Sequence, residues 1–444
     1  MSSGSPRLAR RLGLGDAVFI GLGAMVGAGV FSAFGPAARA AGSGLLIGLA
    51  IAAVIAFCNA VASAQLAAAY PTSGGTYIYG RERLGHWWGF VAGWAFIAGK
   101  TASCAAMALT FASYAVPDSW WVQRAAAFAA VVALTALNYR GITRTATLTR
   151  ILVGVVLLVL VSFVVVALSF GQVSIDRIAG GGALFHAGGY ATLQAAGLLF
   201  FAFAGYARIA TLAEEVRDPE RTIPRAISLA LAVTVAIYAL IAITLLVTAG
   251  PDRLAASTTP LITAAQQAGA GALAPLVRVG AALASLGALL ALIAGIARTG
   301  LAMARHGDLP SWLAGVHPRY RVPHHAEIAL AIIVGTLVLT TDLRGVIAFS
   351  SFGVLIYYAI ANASAFTQPR DQRRWPRSLN VLGAGGCVVL AATLPWTAAV
   401  TAATVIAIGL AGRVIASSRQ RRGAPVDKAD PSGRDNTRNQ DLPN

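Results

Sequence analysis

The sequence predicts an all-α integral membrane protein. Its twelve transmembrane helices form a 5+5 inverted repeat plus two peripheral helices, with helices 1 and 6 broken. Three observations carry this prediction. Hydrophobic residues make up 57% of the 444 and charged residues 11%, whereas a soluble domain carries about 25% charged residues. Apolar runs long enough to cross a bilayer recur along the whole chain. Two of those runs, the first and the sixth, are interrupted in their middles, which is the mark of a binding site built between repeats.

Residues 1–13 read as a polar, basic cytosolic tail, entering the first span without a small-residue cleavage site. The spans fall near 14–40, 44–69, 87–115, 122–138, 147–170, 189–213, 226–249, 272–303, 326–342, 345–367, 379–395 and 397–415. Residues 14–415 are thus one transporter-like domain, with repeat one at about 14–170, repeat two at about 189–367 and peripheral helices at about 379–415. The first, third and eighth runs are long, which predicts tilt or breaks. The last two meet at a tight turn around Pro395 and Trp396. Residues 416–444 are rich in Gly, Pro, Asp and Arg and predict a disordered cytosolic tail. Gly180-Gly181-Gly182 reads as a flexible outer loop.

Charge placement orients the chain. The formal net charge is +17, and the basic residues gather in alternate connections. One set holds Arg81 and Arg83, then Arg140, Arg144 and Arg150, then Arg217, Arg221 and Arg225. The same set continues with Arg298, Arg305, Arg319 and Arg321, and with Arg370, Arg373, Arg374 and Arg377. The opposite connections hold only Arg39, Arg124, Arg177, Arg253, Arg278 and Arg344. The positive-inside rule then places both termini in the cytosol of a multi-pass cell-membrane protein. The charge serves orientation in the lipid bilayer and not nucleic acid, since no basic domain stands apart from the spans.

In the first span, Gly21-Leu22-Gly23-Ala24-Met25-Val26-Gly27-Ala28-Gly29-Val30-Phe31 concentrates four glycines. Each costs a helix about 1 kcal/mol relative to alanine, so the backbone is invited to unwind. Unwinding at membrane depth is tolerated only against protein or a watery cavity. The sixth span carries a second interruption in Phe200-Phe201-Ala202-Phe203-Ala204-Gly205-Tyr206. Breaks of this kind suit a zwitterion without charged side chains. Amides of Gly27, Ala28 and Gly29 face a carboxylate at a positive half-helix end. Carbonyls of Ala24, Met25, Phe201, Ala202 and Ala204 face an ammonium. The competing reading makes the glycines close-packing positions of the small-xxx-small kind.

Four segments in order resemble the amino acid–polyamine–organocation superfamily of permeases, which share the LeuT-type fold. They are Gly27–Phe31, Tyr70-Pro71-Thr72-Ser73-Gly74-Gly75-Thr76-Tyr77-Ile78-Tyr79, the acidic stretch Ala213–Pro224, and Ala302–Arg305 with Gly307-Asp308-Leu309-Pro310 and Val316–Arg319. The resemblance implies a secondary transporter working by alternating access, with an amino acid as substrate, no cofactor, and protons as a possible coupling ion. By the same resemblance Phe201, Phe203 and Tyr206 line or gate the pocket, the competing reading being plain helix packing. Gly205 joins the substrate-binding set, and Tyr70 to Tyr79 form an inner re-entrant or gating loop containing Tyr77. Glu214 and Glu215, beside Arg217 and Arg221, are either a gating lock or a solvated salt-bridge cluster.

Lys100 lies thirteen residues past Trp87 in the third span, about 20 Å in. A charge there costs about 2.5–3.5 kcal/mol or more, so it must face the bundle interior. It is the candidate proton-coupling group; the alternative is a lysine bonded to free carbonyls that stands in for sodium without titrating. Proton-coupled relatives carry such a lysine on span five, where this chain has Val156. Lys100 and Arg208, two cations near the pathway, argue against lysine or arginine as substrate, so neutral amino acids are favoured and acidic ones stay open. Arg208 either points into the inner vestibule or reaches back to Glu214 or the membrane surface.

Other classes fit less well. The six histidines lie near span ends or in loops, with neither metal spacing nor a triad arrangement, so neither an enzyme nor a metal site is expected. A channel would need a polar ring through its pore. The alternatives that survive are an amino acid exchanger without proton coupling and a non-transporting membrane receptor. Cys58, Cys104 and Cys387 sit within spans, where no disulfide framework is expected.

Overall fold

Glycine and proline punctuate an otherwise helical chain. The computed structural model describes residues 12–70, 74–116, 119–141, 146–171, 173–179, 184–210 and 215–423. Gly180–Gly182, Glu214, Arg144, and the 1–11 and 424–444 tails lie outside the described residues. The first span is α1 (Leu14–Met25), α2 (Ala28–Ser32) and α3 (Phe34–Ala41), followed by α4 (Leu45–Ala69). Then come α5 (Thr76–Leu84), α6 (His86–Ala115), α7 (Trp120–Tyr139), α8 (Ala146–Phe170) and α9 (Asp176–Ala179). The second half opens with α10 (Gly188–Phe203), α11 (Ala207–Ala210) and α12 (Pro219–Ala249). Two short helices not anticipated from sequence, α13 (Pro251–Ala256) and α14 (Pro260–Gln267), precede α15 (Ala274–Arg305). The chain ends in α16 (His324–Thr340), α17 (Leu343–Phe366), α18 (Arg377–Thr393) and α19 (Trp396–Gly423).

Among the described residues nine helical stretches are long and apolar enough to cross a membrane. Three shorter apolar helices, Gly188–Phe203, His324–Thr340 and Arg377–Thr393, join them. Of the three long runs, only the first is broken. The third and eighth are the continuous helices α6 and α15, and their extra length is whole turns and not interruption. Helix starts follow ordinary capping chemistry: Pro219, Pro251 and Pro260 open α12, α13 and α14, where a missing N–H costs nothing. The Asp342 carboxylate accepts from the amides of Arg344 (3.1 Å) and Gly345 (3.2 Å) to start α17.

The interior is built from α1, α4, α6, α10, α12, α15 and α17. α6 and α17 cross closely because Gly99 meets Gly353; a Cβ on Gly353 would lie 2.9 Å from the Gly99 Cα. Ser103 and Ser350 share a 2.6 Å hydrogen bond at the same crossing. The outer surface is apolar, as lipid requires: Trp120, Trp121, Ile151, Leu158, Ile332 and Ile408 are exposed. α19 is peripheral, with 11% of its apolar window buried against 78% for α6.

Candidate functional site

Both predicted interruptions exist, and they meet. α1 stops at Met25, Val26 donates back to the Leu22 carbonyl (2.6 Å), and α2 restarts at Ala28 with no side chain capping Gly27. α10 stops at Phe203, Ala204–Tyr206 form a turn, and α11 restarts at Ala207. The second break thus lies at the C-terminal edge of the segment marked by sequence, after the phenylalanines and not among them.

The glycines explain how two breaks approach. A Cβ on Gly29 would lie 2.6 Å from both Cα and Cβ of Ala202. A Cβ on Gly205 would overlap the Ala24 carbonyl and sit 2.6 Å from the Met25 nitrogen. Each break therefore contributes a glycine that receives the backbone of the other. Gly27 is looser, with a Cβ there 3.0 Å from the Cβ of Ala288 on α15. Close packing and unwinding are both true of these residues: the same glycines open the helix and admit the facing chain.

The carbonyls exposed by the breaks have donors. Tyr238, on α12, donates to Met25 O (2.6 Å) and to Ala202 O (3.0 Å). Lys100 Nζ donates to Ala204 O (3.0 Å), and the Tyr358 hydroxyl reaches the same oxygen at 3.4 Å. Lys100 is 7% exposed and faces the bundle interior, as its depth required. It sits one residue beyond Gly99, so the close α6–α17 crossing carries it to the sixth-segment break. In the first segment, Tyr114 donates to Phe31 O (2.8 Å) and packs edge-on against the Phe31 ring.

Phe201 and Phe203 are buried, and Phe203 packs against Tyr238 with ring centroids 5.1 Å apart. Tyr206 is fully buried and stacks on Tyr358 at 4.9 Å. Arg208 lies on α11, directly after the break. Tyr77 is elsewhere: its hydroxyl donates to Asp308 Oδ2 (2.8 Å), in a cluster that holds Arg413 at 2.8 Å and Arg81 at 3.6 Å from the same carboxylate. Arg413 also lies over Phe90 (4.5 Å) and Trp87 (4.9 Å), tying α19 to α6. Glu215 takes part through its backbone, its carbonyl accepting from Leu12 N (3.0 Å), while Arg217 N donates to Leu12 O (2.9 Å). Asp16 pairs with Arg150 at the same end of α1.

Sequence reasoning missed Tyr238, Tyr358 and Asp308. A signal existed for Tyr238, a lone tyrosine within the apolar run 226–249, since a buried phenol in hydrocarbon needs an acceptor and freed carbonyls are its natural partners. It also missed Glu327 on α16, which is 2% exposed.

The sequence profile of the amino acid permease family matches residues 16–423. An uncharacterized transporter of Mycobacterium tuberculosis is 56% identical, over 95% of each chain. The branched-chain amino acid permease BcaP of Bacillus subtilis is 27% identical, over 92% of this chain and 93% of its own. A vacuolar cationic amino acid transporter of Arabidopsis thaliana is 29% identical, over 84% of this chain and 62% of its own. With the profile covering nearly the whole sequence and two broken helical segments packed against each other at its centre, the chain belongs to the amino acid permease family.

Proposed function

We propose that the protein moves neutral amino acids across the cell membrane by alternating access, coupled to protons, with the substrate held between the two breaks. The observation that carries this reading is the meeting of the breaks through Gly29 with Ala202 and Gly205 with Ala24. Twelve spans with repeats at about 14–170 and 189–367, and both termini in the cytosol, draw support from the nine long and three shorter apolar helices among the described residues and from the arginine pattern. The carboxylate sits on the amides of Gly27, Ala28 and Gly29, where α2 begins without a cap. The ammonium sits toward the carbonyl side of both breaks, among Ala24, Met25, Phe201, Ala202 and Ala204. Met25 O and Ala202 O each have one donor and keep a second lone pair, while Ala204 O is met by both Lys100 and Tyr358.

Lys100 and Arg208 place two cations beside this region, which disfavours a cationic side chain on the substrate. The branched-chain permease of B. subtilis supports the same choice, and the vacuolar A. thaliana relative is named for cationic amino acids. Lys100 takes up and releases the coupling proton, and its bond to Ala204 O ties that event to the geometry of the sixth segment. Transport then consists of rocking the bundle that contains both broken segments. Tyr206, Glu214 and Glu215 are the gating candidates, of which Glu214 lies outside the described residues, while Tyr77 is held at the Asp308 cluster.

The same Lys100–Ala204 bond favours a second reading, an exchanger in which the lysine is a fixed cation. Uptake of a panel of radiolabelled amino acids into proteoliposomes, with and without an inward proton gradient, separates the two. Gradient-stimulated uptake of a neutral amino acid is expected. Uptake only into preloaded vesicles means exchange, and binding without flux means a receptor.

A further inference from the structure

We propose that Tyr238 is a positioning residue that fastens the two broken segments to each other and to α12, so that both walls of the substrate site move as one body. This rests on the transport reading above and adds a part to it.

A phenol has one O–H, and the Tyr238 hydroxyl lies within hydrogen-bond reach of two carbonyls, Met25 O at 2.6 Å and Ala202 O at 3.0 Å. Met25 ends α1 and Ala202 is in the last turn of α10. These are carbonyls whose helices have run out, so no backbone amide four residues on completes them. One shared hydrogen serves both only while the breaks keep their separation. If one segment slides from the other, a buried carbonyl loses its donor.

The ring repeats the pattern of the hydroxyl. Phe34, on α3, packs edge-on against Tyr238 with centroids 6.3 Å apart, and Phe203, at the end of α10, packs against it at 5.1 Å. One side chain from the first segment and one from the sixth therefore clamp the same ring, which is 1% exposed. Gly29 against Ala202 and Gly205 against Ala24 bring the breaks into contact; Tyr238 adds a directional bond to each. Tyr114 is the natural control. It is also buried, also donates to a first-segment carbonyl (Phe31 O, 2.8 Å) and also packs on a phenylalanine, but among the described residues this bond and ring contact reach the first of the two broken segments and not the sixth.

The test compares purified full-length wild type with Tyr238→Phe and Tyr114→Phe. Each variant keeps its ring and loses one hydroxyl. Two readouts are made: hydrogen–deuterium exchange of peptides covering 21–33 and 200–210, and equilibrium binding of a radiolabelled neutral amino acid. Losing the donor of a buried carbonyl is an effect on the order of tenfold or more. Tyr238→Phe is expected to speed exchange at both breaks together by about that factor and to weaken binding similarly. Tyr114→Phe is expected to leave the 200–210 peptide and the affinity at wild-type values. The proposal is overturned if Tyr238→Phe loosens only one break or neither, or if Tyr114→Phe loosens both. Should the wild type bind no amino acid, the transport reading fails while the exchange data still decide the role of Tyr238.

Discussion

Two buried polar regions of this protein are built on opposite plans. At the breaks, backbone carbonyls of Met25, Ala202 and Ala204 are met by two phenols and one lysine. At the Asp308 cluster, a carboxylate is met by Arg413, Arg81 and the Tyr77 hydroxyl. The second region sets one carboxylate between two guanidiniums and a phenol, which suits a fixed joint between α5, the end of α15 and α19. The first meets backbone partial charges with two phenols and a single cation, Lys100, and carries no carboxylate in that set; Met25 O and Ala202 O keep a spare lone pair. A site for a zwitterion gains from that arrangement, because fixed charges would have to be stripped of their partners at each cycle.

Among substitutions in the two regions, the largest effect belongs to the breaks. Gly29→Leu drives a branched side chain into Ala202 and is expected to abolish amino acid binding outright, measured on purified protein. Lys100→Ala is expected to abolish pH-gradient stimulation of uptake while leaving binding largely intact; unchanged stimulation would remove the lysine from the coupling mechanism. Asp308→Asn leaves Arg413 without its carboxylate and is expected to cost about 3 kcal/mol of stability with amino acid affinity unchanged, read by thermal unfolding beside a binding assay. The smallest effect sharpens the joint's geometry: Gly307, with φ at +74°, precedes Asp308. Gly307→Ala should cost about 1 kcal/mol of stability and leave uptake at wild-type rates.

The sequence displayed one of these regions far better than the other. Clustered glycines in an apolar run are visible without coordinates, because their cost in a helix is local and known. The positions of Gly27, Gly29 and Gly205 therefore led directly to the breaks. What the string could not display was the facing partner. Gly29 touches Ala202 across more than 170 residues of chain, and Tyr238 reaches both breaks from a third helix, so these depend on how helices cross. Lys100 was legible by depth alone, but its acceptor was not, since a carbonyl carries no sequence signature. The Asp308 cluster was hidden for a different reason. Asp308, Tyr77 and Arg413 come from three distant stretches, so although Tyr77 and Asp308 each lie in a family-like motif, nothing along the chain signals that they meet. The broken sixth segment was marked correctly as an interruption, and its displacement toward Ala204–Tyr206 reflects the phenylalanines, which pack well in the last turn of α10 and keep it helical through Phe203.

The most direct test of the account is equilibrium binding of one radiolabelled neutral amino acid to three purified proteins: wild type, Gly29→Leu and Asp308→Asn. The account predicts binding by wild type and by Asp308→Asn with matching affinity, and none by Gly29→Leu. Binding by a folded, monodisperse Gly29→Leu protein at wild-type affinity would contradict a substrate site between the breaks.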